Sequence, residues 1–248
     1  MFPEEAAVLV LLFFPALLFA FFFHRSFREI GFIRCGVFAF LGGAFSTIPL
    51  KWLIYPFFGF LLNEDLRSLI SASTSVWIKA LACLGVVGPV EEFVKLFCIL
   101  VIIFLFNLEK KPKCVFFTFM ASGLGFAFAE NLDYYKNYGF EVLAMRGFLT
   151  SAGHLIFSGT VGVFLAKALP DAFEPISGKV FRGFSKILLG LMCASALHGL
   201  FDLFAFCFSA FQLLAFFFFL LSFGFYFLRE SWIFFLRLEK SENLLPEK

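Results

Sequence analysis

The sequence predicts an all-α fold: a polytopic membrane helix bundle of about seven to eight transmembrane helices. Three observations carry this expectation. Apolar residues make up 61% of the 248 and charged residues only 15%, too greasy a balance for a soluble domain. Apolar runs of about 20 residues recur along the chain, the length a helix needs to cross a ~30 Å hydrocarbon core. The longest polar stretch is the tail from Arg229 to Lys248, so no soluble domain is expected. A net charge of +2 gives no sign of nucleic acid as a partner; the expected surroundings are a lipid bilayer.

Taken in order, the first span is Ala6–Phe23. It is preceded by Glu4 and Glu5, where a signal peptide carries basic residues, so it is expected to remain as a membrane helix. A loop with Arg25, Arg28 and Arg34 comes next. The second span, Ile33–Leu50, contains Gly42 and Gly43, which let another helix approach closely. Lys51–Val87 reads as a re-entrant or interfacial segment or as a poor span, because Trp52–Leu62 is short and Ser71, Ser73, Ser75 and Lys79 interrupt the run from Arg67 to Val87. The next spans are Pro89–Phe106, Cys114–Tyr134, Phe148–Leu169, Phe184–Phe206 and Phe211–Leu228. Most Lys and Arg fall in the loops after the first, third and fifth of these seven spans and in the tail, which predicts N-outside, C-inside. The 45 phenylalanines read as lipid-facing filler. Cys35, Cys83, Cys98, Cys114, Cys193 and Cys207 show no metal-type spacing and read as free thiols. His24, beside Arg25, reads as structural.

Ionisable residues inside the spans are few. Pro89 begins a helix whose first turns carry Glu91, Glu92 and Lys95, and Lys95 is spaced to pair with either carboxylate. Glu130 and Asn131 lie late in the fourth span, His154 early in the fifth, and His198 and Asp202 late in the sixth. At ~1.5 Å per residue, Glu92 lies ~5 Å below Pro89, Glu130 ~24 Å along from Cys114 and His154 ~9 Å below Phe148. His198 and Asp202 lie ~18 and ~24 Å along from Lys186. Because successive helices run in opposite directions, all of them fall in one leaflet, the outer one on the orientation above. Intramembrane ionisable residues point to function. Two imidazoles and a carboxylate form a three-ligand set for catalytic zinc that leaves a place for water, and a further carboxylate must take the proton. Adjacent helical residues diverge by about 100°, so the more inward of Glu91 and Glu92 is the base and the other pairs with Lys95. A proton- or ion-coupled transporter would use the same groups as a relay, and a silent scaffold would use the Gly123–Gly125 and Gly159–Gly162 patches to pack helices.

Glu91-Glu92-x-x-Lys95, Phe126-x-x-x-Glu130-Asn131, His154-x-x-x-Ser158 and His198-x-x-x-Asp202, in that order, resemble the motifs of the PrsW family of intramembrane proteases, relatives of the CAAX-processing and bacteriocin-processing membrane peptidases. The resemblance covers roughly Gly88 to Leu203. It implies a multi-pass protease of the bacterial cytoplasmic membrane that cuts a single-pass membrane protein or peptide, such as an anti-sigma factor, near the extracytoplasmic face. Carried over residue by residue, Glu91 and Glu92 are the paired catalytic glutamates, with Glu92 the general base. Glu130, His154 and His198 are ligands of one divalent metal ion, Zn2+, and Asp202 is a fourth ligand or orients His198. Asn131 is an oxyanion donor. The chain then divides into N-terminal membrane helices with the re-entrant or interfacial segment (1–87), a catalytic four-helix membrane core (88–206), and a final transmembrane helix with a polar cytoplasmic tail (207–248).

Overall fold

The computed structural model describes residues 3–23, 30–62, 64–108, 111–172 and 177–242. His24 and its flanking arginines Arg25 and Arg28 lie outside them. Every regular element is a helix: α1 Pro3–Phe23, α2 Ile30–Phe45, α3 Thr47–Pro49, α4 Tyr55–Leu62, α5 Leu66–Ala72, α6 Val76–Ala82, α7 Gly88–Leu105, α8 Pro112–Tyr138, α9 Phe140–Ala172, α10 Ser177–Cys207 and α11 Ala210–Glu242. Six helices among the described residues are long and apolar enough to cross a membrane. α7 is not one of the six, since it carries Glu91, Glu92 and Lys95.

The segment Lys51–Val87 is divided between two longer helices. α2 through α4 make one nearly continuous helix with a π-helical turn at Leu50–Ile54, and α6 runs into α7 through a second π-helical turn at Cys83–Val87. One residue separates each wide turn from a proline: Tyr55 precedes Pro56, and Gly88 precedes Pro89. A prolyl ring lacks the N–H of the regular ladder and crowds the carbonyl four residues back. Widening the preceding turn relieves both, as Tyr55 N–H bonds Leu50 O and Gly88 N–H bonds Cys83 O. Pro89 is therefore interior to a longer helix, where the sequence suggested a helix start. Between these two long helices α5 is short, with its first turn capped by Asp65, which accepts from Ser68 N at 3.1 Å.

α11 also runs further than its apolar stretch. Trp232 and Phe235, one turn apart, pack on Phe116 with ring centroids 6.3 and 5.6 Å away. Glu239 pairs with Lys113 at 2.7 Å. These contacts hold as helix what the sequence suggested to be the start of a polar tail.

The core is the pair α8 and α9, with α2 against α8 and α10 against both α9 and α7. Small residues let these helices touch backbone to backbone. A Cβ on Gly43 would stand 2.0 Å from Ser122 O, and one on Gly125 only 1.8 Å from Phe40 O. Similar approaches set the site: a Cβ on Gly123 would meet His154 O at 2.4 Å, and one on Gly88 would meet Ser195 O at 2.5 Å. Lipid tails are as apolar as leucine, so close packing of this kind takes the place of hydrophobic collapse.

Candidate active site

α7, α8, α9 and α10 each bring ionisable side chains to one place. Glu91, Glu92, Lys95, His154 and His198 are all buried. One ligand atom each of Glu91, His154 and His198 lie within 4.8 Å of one another.

His198 stands between the two glutamates of α7. Its Nδ1 is 2.8 Å from Glu92 Oε1, so the ring donates there. That leaves the Nε2 lone pair facing Glu91 Oε2 at 3.5 Å and Asp202 Oδ2 at 3.6 Å. Glu91 Oε2 has no hydrogen-bond partner among the described residues, although it is buried. An uncompensated buried carboxylate oxygen beside an imidazole lone pair is costly. Electron-pair donors converging with no proton between them suit a cation, and this is the test the residues meet as a metal site.

Glu92 has a different neighbourhood. Lys95 Nζ donates to its Oε1 at 2.5 Å, and both side chains are 1% exposed. Lys95 also lies 3.2 Å from His154 Nδ1 and 4.2 Å from the centre of the Phe126 ring. An ammonium only donates, so Nδ1 of His154 accepts. Its Nε2 then donates to Glu130 Oε2 at 2.9 Å. Coordination by His154 therefore exchanges one of these two contacts. Glu130 uses its other oxygen to hold Arg146 at 3.0 Å, and that guanidinium lies 3.6 Å from the centre of the Tyr134 ring.

Six of the seven residues expected to have catalytic or metal-binding roles thus form one connected cluster. Their positions within it are not equivalent. Glu91, with His154 and His198, makes the compact group; Glu130 stands behind His154 as its hydrogen-bond partner. Glu92 is locked between Lys95 and His198. Asn131 is the seventh and faces elsewhere. Its amide nitrogen contacts Gly147 O at 3.3 Å and Ser151 Oγ at 3.5 Å, and its oxygen accepts from Thr150 at 2.8 Å. Both ends of the amide tie α8 to α9, so the oxyanion donor expected at Asn131 is not found in that place.

Two participants were missed by the sequence. Arg146 is a basic residue near a span end, with no motif to mark it. Tyr55 belongs to the segment whose apolar pattern is most broken, and its hydroxyl donates to Glu91 Oε1. A cavity of about 710 Å³ opens beside the cluster, lined by Tyr55, Glu91, Glu130, Arg146 and Asp202 among others. It places the carboxylates within reach of a substrate.

A helix bundle that buries carboxylates and imidazoles around one cation-ready point, open to a cavity, is a membrane-embedded metallohydrolase in form. The chain belongs to the PrsW family: the profile of the PrsW family intramembrane metalloproteases matches residues 32–228. The match includes every element that contributes to the site. Comparison with curated proteins and with solved structures gives no match. The family is a peptidase family, which sets aside the transporter and scaffold alternatives and implies a metal.

Proposed function

We propose that this protease cleaves a peptide bond of a single-pass membrane protein, such as an anti-sigma factor, close to the extracytoplasmic face of a bacterial cytoplasmic membrane. The observation that carries the reading is the meeting of Glu91, His154 and His198 beside an open cavity. The outward placement rests on charge. Lys113, Lys167 and Lys186 gather at the ends of α8, α9 and α10 opposite the site, and basic residues favour the cytoplasmic side.

In this mechanism Glu91, His154 and His198 hold one divalent ion, Zn2+ by the chemistry of two imidazoles and a carboxylate. Such an ion acidifies water and polarises a carbonyl. Glu92 keeps His198 in the tautomer that presents Nε2 by accepting from Nδ1, the usual service of a carboxylate behind a histidine ligand. Lys95 neutralises Glu92. Asp202 lines the cavity and stands beside His198 Nε2 without a closer partner among the described residues, so it is the carboxylate placed to take a proton. It removes the proton as the water oxygen attacks the peptide carbon. It returns that proton to the amide nitrogen as the C–N bond breaks, giving a carboxylic acid and an amine, and the acid's proton then passes to the amine. Arg146, held by Glu130, faces the same cavity and offers its positive charge to the developing oxyanion.

The test is co-expression with a tagged single-pass substrate whose cleavage site lies just outside the membrane. The wild type is expected to release the extracytoplasmic fragment. Glu91→Gln and His198→Ala are expected to insert normally and release none. Retained cleavage in both variants overturns the proposal.

A further inference from the structure

We infer that Tyr55 is a positioning residue for Glu91, and through it for the bound cation; the inference rests on the reading of Glu91 as a ligand. Tyr55 and Glu91 come from two different helices, and each follows a π-helical turn ahead of a proline: Leu50–Ile54 before Pro56, and Cys83–Val87 before Pro89. Wide turns of this kind recur at functional sites because they re-aim side chains that a regular helix would misplace. Here both side chains line the cavity, and the Tyr55 hydroxyl donates to Glu91 Oε1.

The consequence is a division between the two glutamate oxygens. Oε1 is fixed by the phenol. Oε2 is left without a donor, 3.5 Å from His198 Nε2. A carboxylate anchored at one oxygen cannot swing its other oxygen away from the histidines. The choice of donor matters as much as its position. Glu92 is held by the Lys95 ammonium, so its charge is cancelled. Glu91 is held by a neutral hydroxyl, so its negative charge is kept for a cation. The Tyr55 side chain packs against two apolar clusters, one that includes Leu66 and Ile70 and one that includes Leu50 and Val94. None of the sequence motifs includes it.

The measurement is the affinity of the full-length detergent-purified protein for Zn2+ alone, by competition with a chromogenic chelator. Wild type, Tyr55→Phe, Glu91→Gln, the double variant and the exposed α11 control Tyr226→Phe are compared. Loss of a group that orients a ligand typically weakens metal binding about 10- to 100-fold, and Tyr55→Phe is expected to fall in that range with Tyr226→Phe unchanged. Phenylalanine keeps the ring and its packing, so helical content by circular dichroism is expected to stay at the wild-type level. Because Tyr55 acts through Glu91, the double variant is expected to bind no more weakly than Glu91→Gln, an interaction that a double-mutant cycle isolates. Wild-type affinity in Tyr55→Phe overturns the inference while leaving the site intact. Equal losses in both backgrounds also overturn it, since they reveal a general structural role. No Zn2+ bound by the wild type, or full affinity in Glu91→Gln, overturns the metal site itself and the inference with it.

Discussion

The inner helices α8 and α9 and the outer helices α1 and α11 invert the rule learned from soluble proteins. The spans Pro112–Tyr138 and Phe140–Leu169 are the less hydropathic, yet 78% and 83% of an apolar 18-residue stretch within each is buried. Glu4–Phe21 and Ala210–Glu239 are the most hydropathic, and only 11% and 22% of the corresponding stretch is buried. In a bilayer, apolar side chains gain nothing by leaving lipid. Glycine, serine, histidine and carboxylates do gain, because only the protein interior offers them backbone contact or a hydrogen-bond partner. The interior of this bundle is therefore where its polar chemistry is concentrated.

Changes to the two regions are expected to differ sharply. Gly125→Val on α8 forces a side chain into the Phe40 carbonyl, where even a Cβ would stand at 1.8 Å. Backbone cannot yield as a side chain does, so this variant is expected to lose the folded, monodisperse protein on size-exclusion chromatography. Lys95→Ala removes the partner of a buried carboxylate, a change that costs about 3–5 kcal/mol where measured. A large drop in thermal stability is expected, and Lys95→Ala with Glu92→Leu is expected to recover most of it.

Asp202→Asn is expected to leave Zn2+ bound and stability near wild type while lowering kcat by ~10²–10⁴-fold, the usual contribution of a general base. Cleavage within threefold of wild type in that variant would transfer the proton to another carboxylate. On the outer face, Phe211→Leu on α11 changes a side chain 80% exposed, and a shift within about 0.5 kcal/mol is expected. A larger loss would mean that this face is covered by protein rather than lipid.

The smallest effect belongs to the water-exposed ion pair at the far end. Lys186 hydrogen-bonds the Asp171 carboxylate at 2.6 Å and holds its pKa below the ordinary value. A depressed carboxyl pKa adds stability that is present at neutral pH and fades as pH falls through the folded-state value. Asp171→Asn is therefore expected to melt slightly below wild type at pH 7, with the gap closing in acid. A gap that widens on acidification contradicts this.

How much of this was legible in the chain depends on the kind of signal. The apolar runs announce helices, and alternating helix direction levels Glu92, Glu130, His154 and His198 at one depth without any structure. Rotation about each helix axis is less legible. A 100° step separates Glu91 from Glu92, but which of them meets Nδ1 of His198 and which meets Nε2 depends on how Gly88 packs against Ser195 and on the π-helical turn before Pro89. That turn shifts the phase of every residue after it, and periodicity arguments assume a regular helix. The same irregularity hid Tyr55: Trp52–Leu62 is apolar but short by itself, and the wide turn that joins it to the preceding helix leaves no mark in the apolar pattern. Asn131 shows the reverse case. Its place beside Glu130 in a motif suggested chemistry, while its neighbours Thr150 and Ser151 on α9 claim its amide for packing.

The central claim is that Glu91, His154 and His198 share one cation. Metal analysis of the purified wild type beside Glu91→Gln, His154→Ala and His198→Ala variants, each checked for intact helical content, tests it most directly. The account predicts about one zinc per chain in the wild type and its loss in each variant. A metal-free wild type with full cleavage activity, or stoichiometric zinc retained in all three variants, contradicts it.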